Sequence, residues 1–198
     1  MERVELPLFP LRTVLFPGGV LPLRIFEARY LDMAARCMKA GMPFGVCLIQ
    51  DGQEVGEAAT PHSVGTTARI VSWDMPQQGV LLVTCRGERR FRIDARQTHA
   101  DRLQSAQVQF LDAADAAPTP IPAGRAGVLP LLKAIVSDAG DELFPPPHAF
   151  DDAAWVVRRF AEVLPIPALA RQRLLELDDP LQALEIVQTY LRQHQLAS

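Results

Sequence analysis

Leu6-Pro7-Leu8-Phe9-Pro10-Leu11, Leu15-Phe16-Pro17-Gly18, and Leu21-Pro22-Leu23-Arg24-Ile25-Phe26-Glu27, followed by Arg29-Tyr30, carry the reading of this chain. Short apolar runs alternate with proline and glycine at spacings too close for a helix. Proline fixes φ and removes a backbone donor, so Val4 to Phe9 reads as an edge strand or a strand start. Phe16-Pro17-Gly18-Gly19 is a turn signal. Val20 to Ile25 is a second short strand carrying Pro22. Phe26, Tyr30, Met33 and Cys37 then fall at helical spacing on one stripe, and Gly41 stands where a left-handed helix terminator belongs.

Working outward, Phe44 to Ile49 is a compact apolar run stopped by Asp51-Gly52, which predicts a buried strand. Val64 to Trp73 alternates with period two. Met75 to Gly79 predicts a hairpin loop and Val80 to Cys85 a buried strand. Gly87-Glu88 predicts a turn into Arg89 to Arg96, and Leu103 to Leu111 the last strand. Seven or so short strands between Gly/Pro turns suggest a closed or nearly closed antiparallel barrel.

Residues 113–126 change character. Small residues, Pro118, Pro120, Pro122 and Gly124 lack an apolar period, which predicts a linker after a β-rich domain over residues 1–112. Residues 127–198 read as a helical bundle. Val128, Leu131, Leu132, Ile135 and Val136 form one helical stripe ending at Gly140. Asp151 or Asp152 can cap a helix bearing Trp155, Val156, Phe160 and Val163. Pro167 is expected at a first helical position, and Asp179-Pro180 opens a last helix with Leu181, Leu184, Val187 and Leu191 on one face. The fold class expected is therefore α+β.

Composition bounds the function. The chain has 198 residues, a net charge of −3 and 48% hydrophobic residues, values ordinary for a globular protein without a strongly basic surface. Cys37, Cys47 and Cys85 make an odd, irregularly spaced set that suits buried thiols in a reducing compartment. No run approaches the roughly 18 apolar residues of a membrane span. The early prolines break any apolar signal helix. These features predict a cytoplasmic protein with no membrane contact.

The residues that carry chemistry are sparse. Lys39 and Lys133, the only lysines, lie outside any phosphate-loop pattern. Ser63, Ser72, Ser105, Ser137 and Ser198 lie outside any nucleophile-elbow motif. His62, His99, His148 and His194 lack metal-ligand spacing. Asp151-Asp152 and Asp178-Asp179 precede helices, where capping explains them better than acid–base work. No catalytic residue, metal site or cofactor is expected. Arg86, Arg89, Arg90, Arg92 and Arg96 crowd one hairpin and offer an alternative nucleic-acid site, although Glu88 and Asp94 sit among them and no aromatics interleave.

The quoted N-terminal runs, with Phe44-Gly45-Val46-Cys47-Leu48-Ile49, Gly56, Val64-Gly65-Thr66, Ala68-Arg69-Ile70, Gly87 and Arg90-Phe91, form a long and specific pattern. It closely resembles the N-terminal domain of the Lon protease family. The resemblance extends more loosely through Leu174-Leu175-Glu176 and Asp179-Pro180. It implies a PUA-like β-barrel with appended helices that recognises polypeptide substrates. Separate domains of the family hydrolyse ATP and cut peptides, and the quoted residues contain neither, so the resemblance implies a stand-alone, non-catalytic module. Relatives also occur as recognition parts of ubiquitin-ligase substrate receptors. The partners implied are polypeptide substrates or a partner protein. Phe9, Pro10, Phe16, Pro17 and Tyr30 are the candidate peptide-binding residues, because alternation should leave some of the N-terminal aromatics and prolines, including Pro22 and Phe26, facing outward. A charge network of Arg24, Glu27 and Arg29 is expected to pin the helix start. The oligomeric state is not legible in the sequence.

Overall fold

A computed structural model describes residues 4–113 and 117–196. The chain divides into two compact units, residues 1–114 and 115–198. The first contains β1 (Val4–Leu11), β2 (Val20–Ile25), α1 (Ala28–Ala40), β3 (Phe44–Asp51), β4 (Thr60–Gln77), β5 (Val80–Thr98) and β6 (Gln104–Phe110). The strands form one six-stranded sheet in the order β2-β5-β4-β3-β1-β6, and β6 also pairs with β5, so the ladder returns on itself. Six strands replace the expected seven because two are long, 18 residues in β4 and 19 in β5.

Three expectations change here. First, β1 lies inside the sheet rather than at its edge. Val4–Leu8 pairs antiparallel with β6 and Leu8–Leu11 pairs parallel with β3. Pro7 and Pro10 are tolerated because each sits in a half-strand with one partner, so the missing N–H can face the unpaired side. The parallel pair also departs from an all-antiparallel pattern; β2 and α1 supply the long connection that a parallel return requires. Second, Met75–Gln77 continues β4, and Gln78-Gly79 alone makes the turn, with Gly79 at φ 82°. Third, Gly87 does not turn the chain. It lies within β5, where its N–H donates to Gly19 O at 2.9 Å and its carbonyl accepts from Gly18 N at 2.8 Å. A Cβ there would overlap the Phe16 carbonyl. This glycine marks a close backbone approach.

The Phe16–Gly19 turn forms as expected, with Gly19 N donating to Phe16 O at 2.9 Å and Gly18 at φ 79°. Helix α1 buries Tyr30, Met33, Ala34 and Cys37 and ends on left-handed Gly41, φ 63°. Its stripe packs against Phe9, Leu11, Ile25, Phe44, Val46 and Leu81 in the main core of this unit. A smaller cluster of Leu6, Leu8, Cys47, Phe91, Ala106 and Val108 fills the space between β1, β3, β5 and β6.

The second unit contains a 3-10 helix at Ala123–Val128, then α2 (Leu129–Ala139), α3 (Ala153–Val163), α4 (Ala168–Glu176) and α5 (Pro180–Gln193). Its core joins Val128, Leu132, Val136, Val156, Phe160, Leu184, Val187 and Leu191. Asp152 caps α3 by accepting from Ala154 N and Trp155 N, and Asp179 caps α5 by accepting from Leu181 N. Pro167 is the cap of α4 rather than its first helical residue. Within the expected linker, residues 114–116 lie outside the described set. Pro120 bridges to Asp152, and Ala153 N donates to Thr119 O at 2.8 Å.

Candidate functional site

An apolar groove of about 170 Å³ opens where β1, β2 and the start of α1 meet the 52–58 loop. Phe9 and Leu11 from β1, Leu23 and Ile25 from β2, Phe26 and Tyr30 line it. Phe9 and Tyr30 are stacked at 4.0 Å between ring centroids and are buried, so they form the floor. Phe26, 51% exposed, and Val55, 55% exposed, form the rim. Arg24, Glu27 and Glu54 supply the polar border.

Local bonds hold the rim in place. Glu27 accepts from Arg29 Nη2 at 3.0 Å and from Gly56 N at 3.4 Å, while Arg29 Nη1 donates to Arg102 O at 3.1 Å. The loop bearing Val55 is tied from its other end, because Arg12 N donates to Glu54 Oε1 and Arg12 Nη2 to Gln53 Oε1. Glu27 and Arg29 thus pin the helix start as expected, whereas Arg24 stands exposed on β2. Burial pushes the Tyr30 phenol above its ordinary value, opposed by Arg29. The ring therefore serves as a neutral apolar surface.

The five candidate peptide-binding residues separate. Phe9 and Tyr30 reach the groove. Pro10, Phe16 and Pro17 are buried away from it. The expectation of outward-facing N-terminal aromatics is met by Phe26 and by the exposed Pro22, not by Phe16. Strand alternation failed as a guide because Phe16 lies outside any strand, against the backbone of β5. Phe26 shares the helical spacing of Tyr30, Met33 and Cys37, but α1 begins at Ala28 and leaves it outside the helix.

The arginines lie on one strand, β5, rather than across a hairpin. Arg90 is buried and pairs with Asp112 at 2.8 Å. Arg89 lies 3.8 Å from the centre of the Phe110 ring and donates to Asp112 O at 2.7 Å. Arg96 donates to Ala59 O at 3.2 Å and to Gln104 Oε1 at 3.1 Å. Arg86 is half-buried opposite Arg69 in the ladder, and Arg92 is exposed.

One polar arrangement escaped sequence reasoning. Ser105 Oγ donates to Glu5 Oε1 at 2.9 Å and lies 2.8 Å from His99 Nε2. These residues come from β1 and both ends of the β5–β6 connection, so no local spacing announces them. With the hydroxyl donating to Glu5, His99 meets the same oxygen as a donor. Among the described residues, no group of three His, Cys, Asp or Glu side chains is placed to hold a metal ion. No described helix is long and apolar enough to cross a membrane.

A mixed sheet packed on one helix, followed by a helical unit, makes this an α+β protein, and its sheet unit carries an apolar groove. The chain belongs to the family described as the ATP-dependent protease La (LON) substrate-binding domain, whose model matches residues 5–193. Lon protease 2 of Herpetosiphon aurantiacus is 32% identical over 182 residues, which cover 88% of this chain and 22% of that protein. The crystal structure of a Lon N-terminal domain protein from Xanthomonas campestris superposes with a TM-score of 0.79 at 34% identity, covering 94% of this chain and 98% of that one. The N-terminal domain of Mycobacterium avium complex Lon protease shares the fold, with a TM-score of 0.67 at 16% identity over 96% of this chain and all of that one.

Proposed function

We propose that this chain is a non-catalytic recognition module of the cytoplasm that binds extended, apolar-rich polypeptide segments through the groove of Phe9, Leu23, Phe26, Tyr30 and Val55. The observation that carries this reading is the exposed pair Phe26 and Val55 over a buried, stacked aromatic floor, in a chain that belongs to a substrate-binding family. The family description names binding, and the groove offers apolar area with a thin charged border. Such a surface suits a short apolar anchor of an unfolded or partner-held chain. Acting as an adaptor that presents polypeptides to another machine fits the same chemistry, and free, buried cysteines fit a reducing compartment.

The nucleic-acid alternative has less support. Three of its five arginines, Arg89, Arg90 and Arg96, are already bonded within the unit. The experiment is a fluorescence titration of a labelled, carboxymethylated unfolded protein against the wild type and Phe26→Ala, at low and high salt. Phe26→Ala weakens binding by about tenfold while leaving the unfolding midpoint in place, and wild-type affinity changes little with salt. Equal affinity of a folded Phe26→Ala variant removes the groove from the site. Affinity that collapses with salt, and RNA binding lost on neutralising Arg92, favours the nucleic-acid reading.

A further inference from the structure

The groove as it stands is too small for a polypeptide segment. Its volume is about 170 Å³, below the roughly 300 Å³ at which ligand pockets begin. Its floor, Phe9 and Tyr30, is only 7% and 6% exposed. One apolar side chain fits, whereas a run of backbone with its flanking residues does not. Part of the cover has to move before a chain can reach the stacked rings.

Of the elements around the groove, the 52–58 loop is the least held. β1, β2 and α1 place Phe9, Leu11, Ile25, Tyr30 and Met33 in the main core of the unit. From Asp51 to Ala58 no residue is buried, and Val55 is the one large apolar side chain. A segment without buried apolar contacts opens far more easily than the core unfolds. What holds it is polar and near the surface. Glu54 accepts from Arg12 N, and Arg12 Nη2 donates to Gln53 Oε1 at 2.6 Å and to Gly52 O at 3.3 Å. Gly56 N donates to Glu27 at 3.4 Å, and Glu57 pairs with Arg102 at 3.0 Å, both side chains more than half exposed. The base of the loop, in contrast, is fixed. Asp51 pairs with Thr60 across it, and Ala59 O accepts from Arg96 Nη1 at 3.2 Å and Gln104 Nε2 at 2.6 Å. Gly52, at φ 101°, supplies conformational freedom where the loop leaves that base.

We propose that residues 52–58 form a lid on the groove, latched by Arg12 and Glu27, whose opening uncovers Phe9 and Tyr30 and admits the polypeptide. This rests on the groove reading and adds its regulation. A site that binds only when open has an apparent affinity reduced by the open fraction. Weakening the latch therefore tightens binding, the reverse of losing a substrate contact, and fixing the latch weakens it.

The test uses the full chain and the labelled, carboxymethylated unfolded protein. Arg12→Cys combined with Gln53→Cys is bridged by a short bis-methanethiosulfonate and released by reductant. Neither position lines the groove, and the three native cysteines are buried. Bridging weakens binding at least about tenfold, and reductant restores it. Capping the two introduced thiols separately with methyl methanethiosulfonate does not weaken it. Glu54→Ala, which removes the acceptor for Arg12 N, binds at least about threefold more tightly than Glu54→Gln, which loses the same charge and keeps an oxygen. The gain lies in the association rate, because a larger open fraction meets the ligand. A bridge that merely distorts the loop cannot reproduce the Glu54→Ala result, which has the opposite sign. Equal affinity of the bridged and reduced forms overturns the lid, as does Glu54→Ala binding no more tightly than Glu54→Gln. If Phe26→Ala still weakens binding in that case, the groove reading stands without its lid. Absence of all these effects, that of Phe26→Ala included, overturns both.

Discussion

Gly87 and Gly65 work through what they lack. A Cβ on Gly87 would overlap Phe16 O, and one on Gly65 would overlap Val46 O and lie 2.6 Å from Cys47 Sγ. The first obstacle at both glycines is a backbone carbonyl, which has less room to yield than the end of a side chain. Gly87→Ala therefore costs about 2–3 kcal/mol or more, read as a lowered urea midpoint with the slope unchanged. A midpoint equal to wild type would show that the Phe16 turn moves freely. The three cysteines make the second residue-scale case. Burial pushes the thiols of Cys47 and Cys85 from the ordinary 9.0 up to about 12, while Cys37 is raised by burial and opposed by Arg36. A raised thiol pKa favours the neutral form in the folded state. Unfolded chains ionise from pH 9 upward while the folded chain does not, so this contribution is complete below pH 9 and is lost as the pH rises toward 12. Stability measured by denaturant melts falls across that window, and iodoacetamide at pH 8 leaves Cys47 and Cys85 unlabelled until the chain unfolds. Rapid alkylation of either in the folded protein would contradict their burial.

At the scale of elements, caps and periodic stripes were the most legible features. Asp151 or Asp152 is expected to cap α3; Asp152 does so, and it accepts from Thr119 N at 3.0 Å as well as from Ala154 N and Trp155 N. Asp152→Ala frees three donors and lowers the stability of the helical unit by about 1–2 kcal/mol, whereas Asp151→Ala changes little. Trp155 fluorescence in a Trp73→Phe background measures both, and equal effects would deny the cap its role. Legibility stopped where a residue's meaning depends on a distant strand. Gly87 reads locally as a turn, and only the backbone of Phe16–Gly19, some 70 residues earlier in the chain, makes it a crossing point. Pro7 reads locally as an edge marker, yet β1 divides its length between β6 and β3 and so accommodates proline inside the sheet. The candidate site split for the same reason. Phe9 and Tyr30 reach the groove because β1 and the buried stripe of α1 converge there. Phe16 and Pro17 satisfy the same local pattern but are buried elsewhere, and their fate is set by contacts that no window of the sequence contains. The extent of β4 was missed because Met75 and Pro76 look like loop residues, although a strand with one unpaired side tolerates proline.

At the scale of the whole molecule, the two units have separate cores. The first draws on residues from Leu6 to Val108, and the second on residues from Val128 to Leu191, with no buried residue in common. Between them the sequence runs Asp112-Ala113-Ala114-Asp115-Ala116-Ala117-Pro118, small and polar residues with no apolar period. Thr119 and Pro120 already bond to the start of α3, so we propose that the functional boundary lies before them, within the expected 113–126 linker. A protease that cuts before aspartate tests this directly. Asp115 is one of many aspartates, including Asp32, Asp51 and Asp74 in the first unit and Asp138 and Asp152 in the second. Cleavage before Asp115 precedes the others and yields two fragments that persist through the digest. Each fragment then melts with its own tryptophan as reporter, Trp73 for the first and Trp155 for the second. Retained polypeptide binding by the first fragment would place recognition in the sheet unit alone. Simultaneous cutting at aspartates within both units, or loss of either melting transition once Asp115 is cut, would mean that the two cores fold as one and that the boundary has no independent meaning.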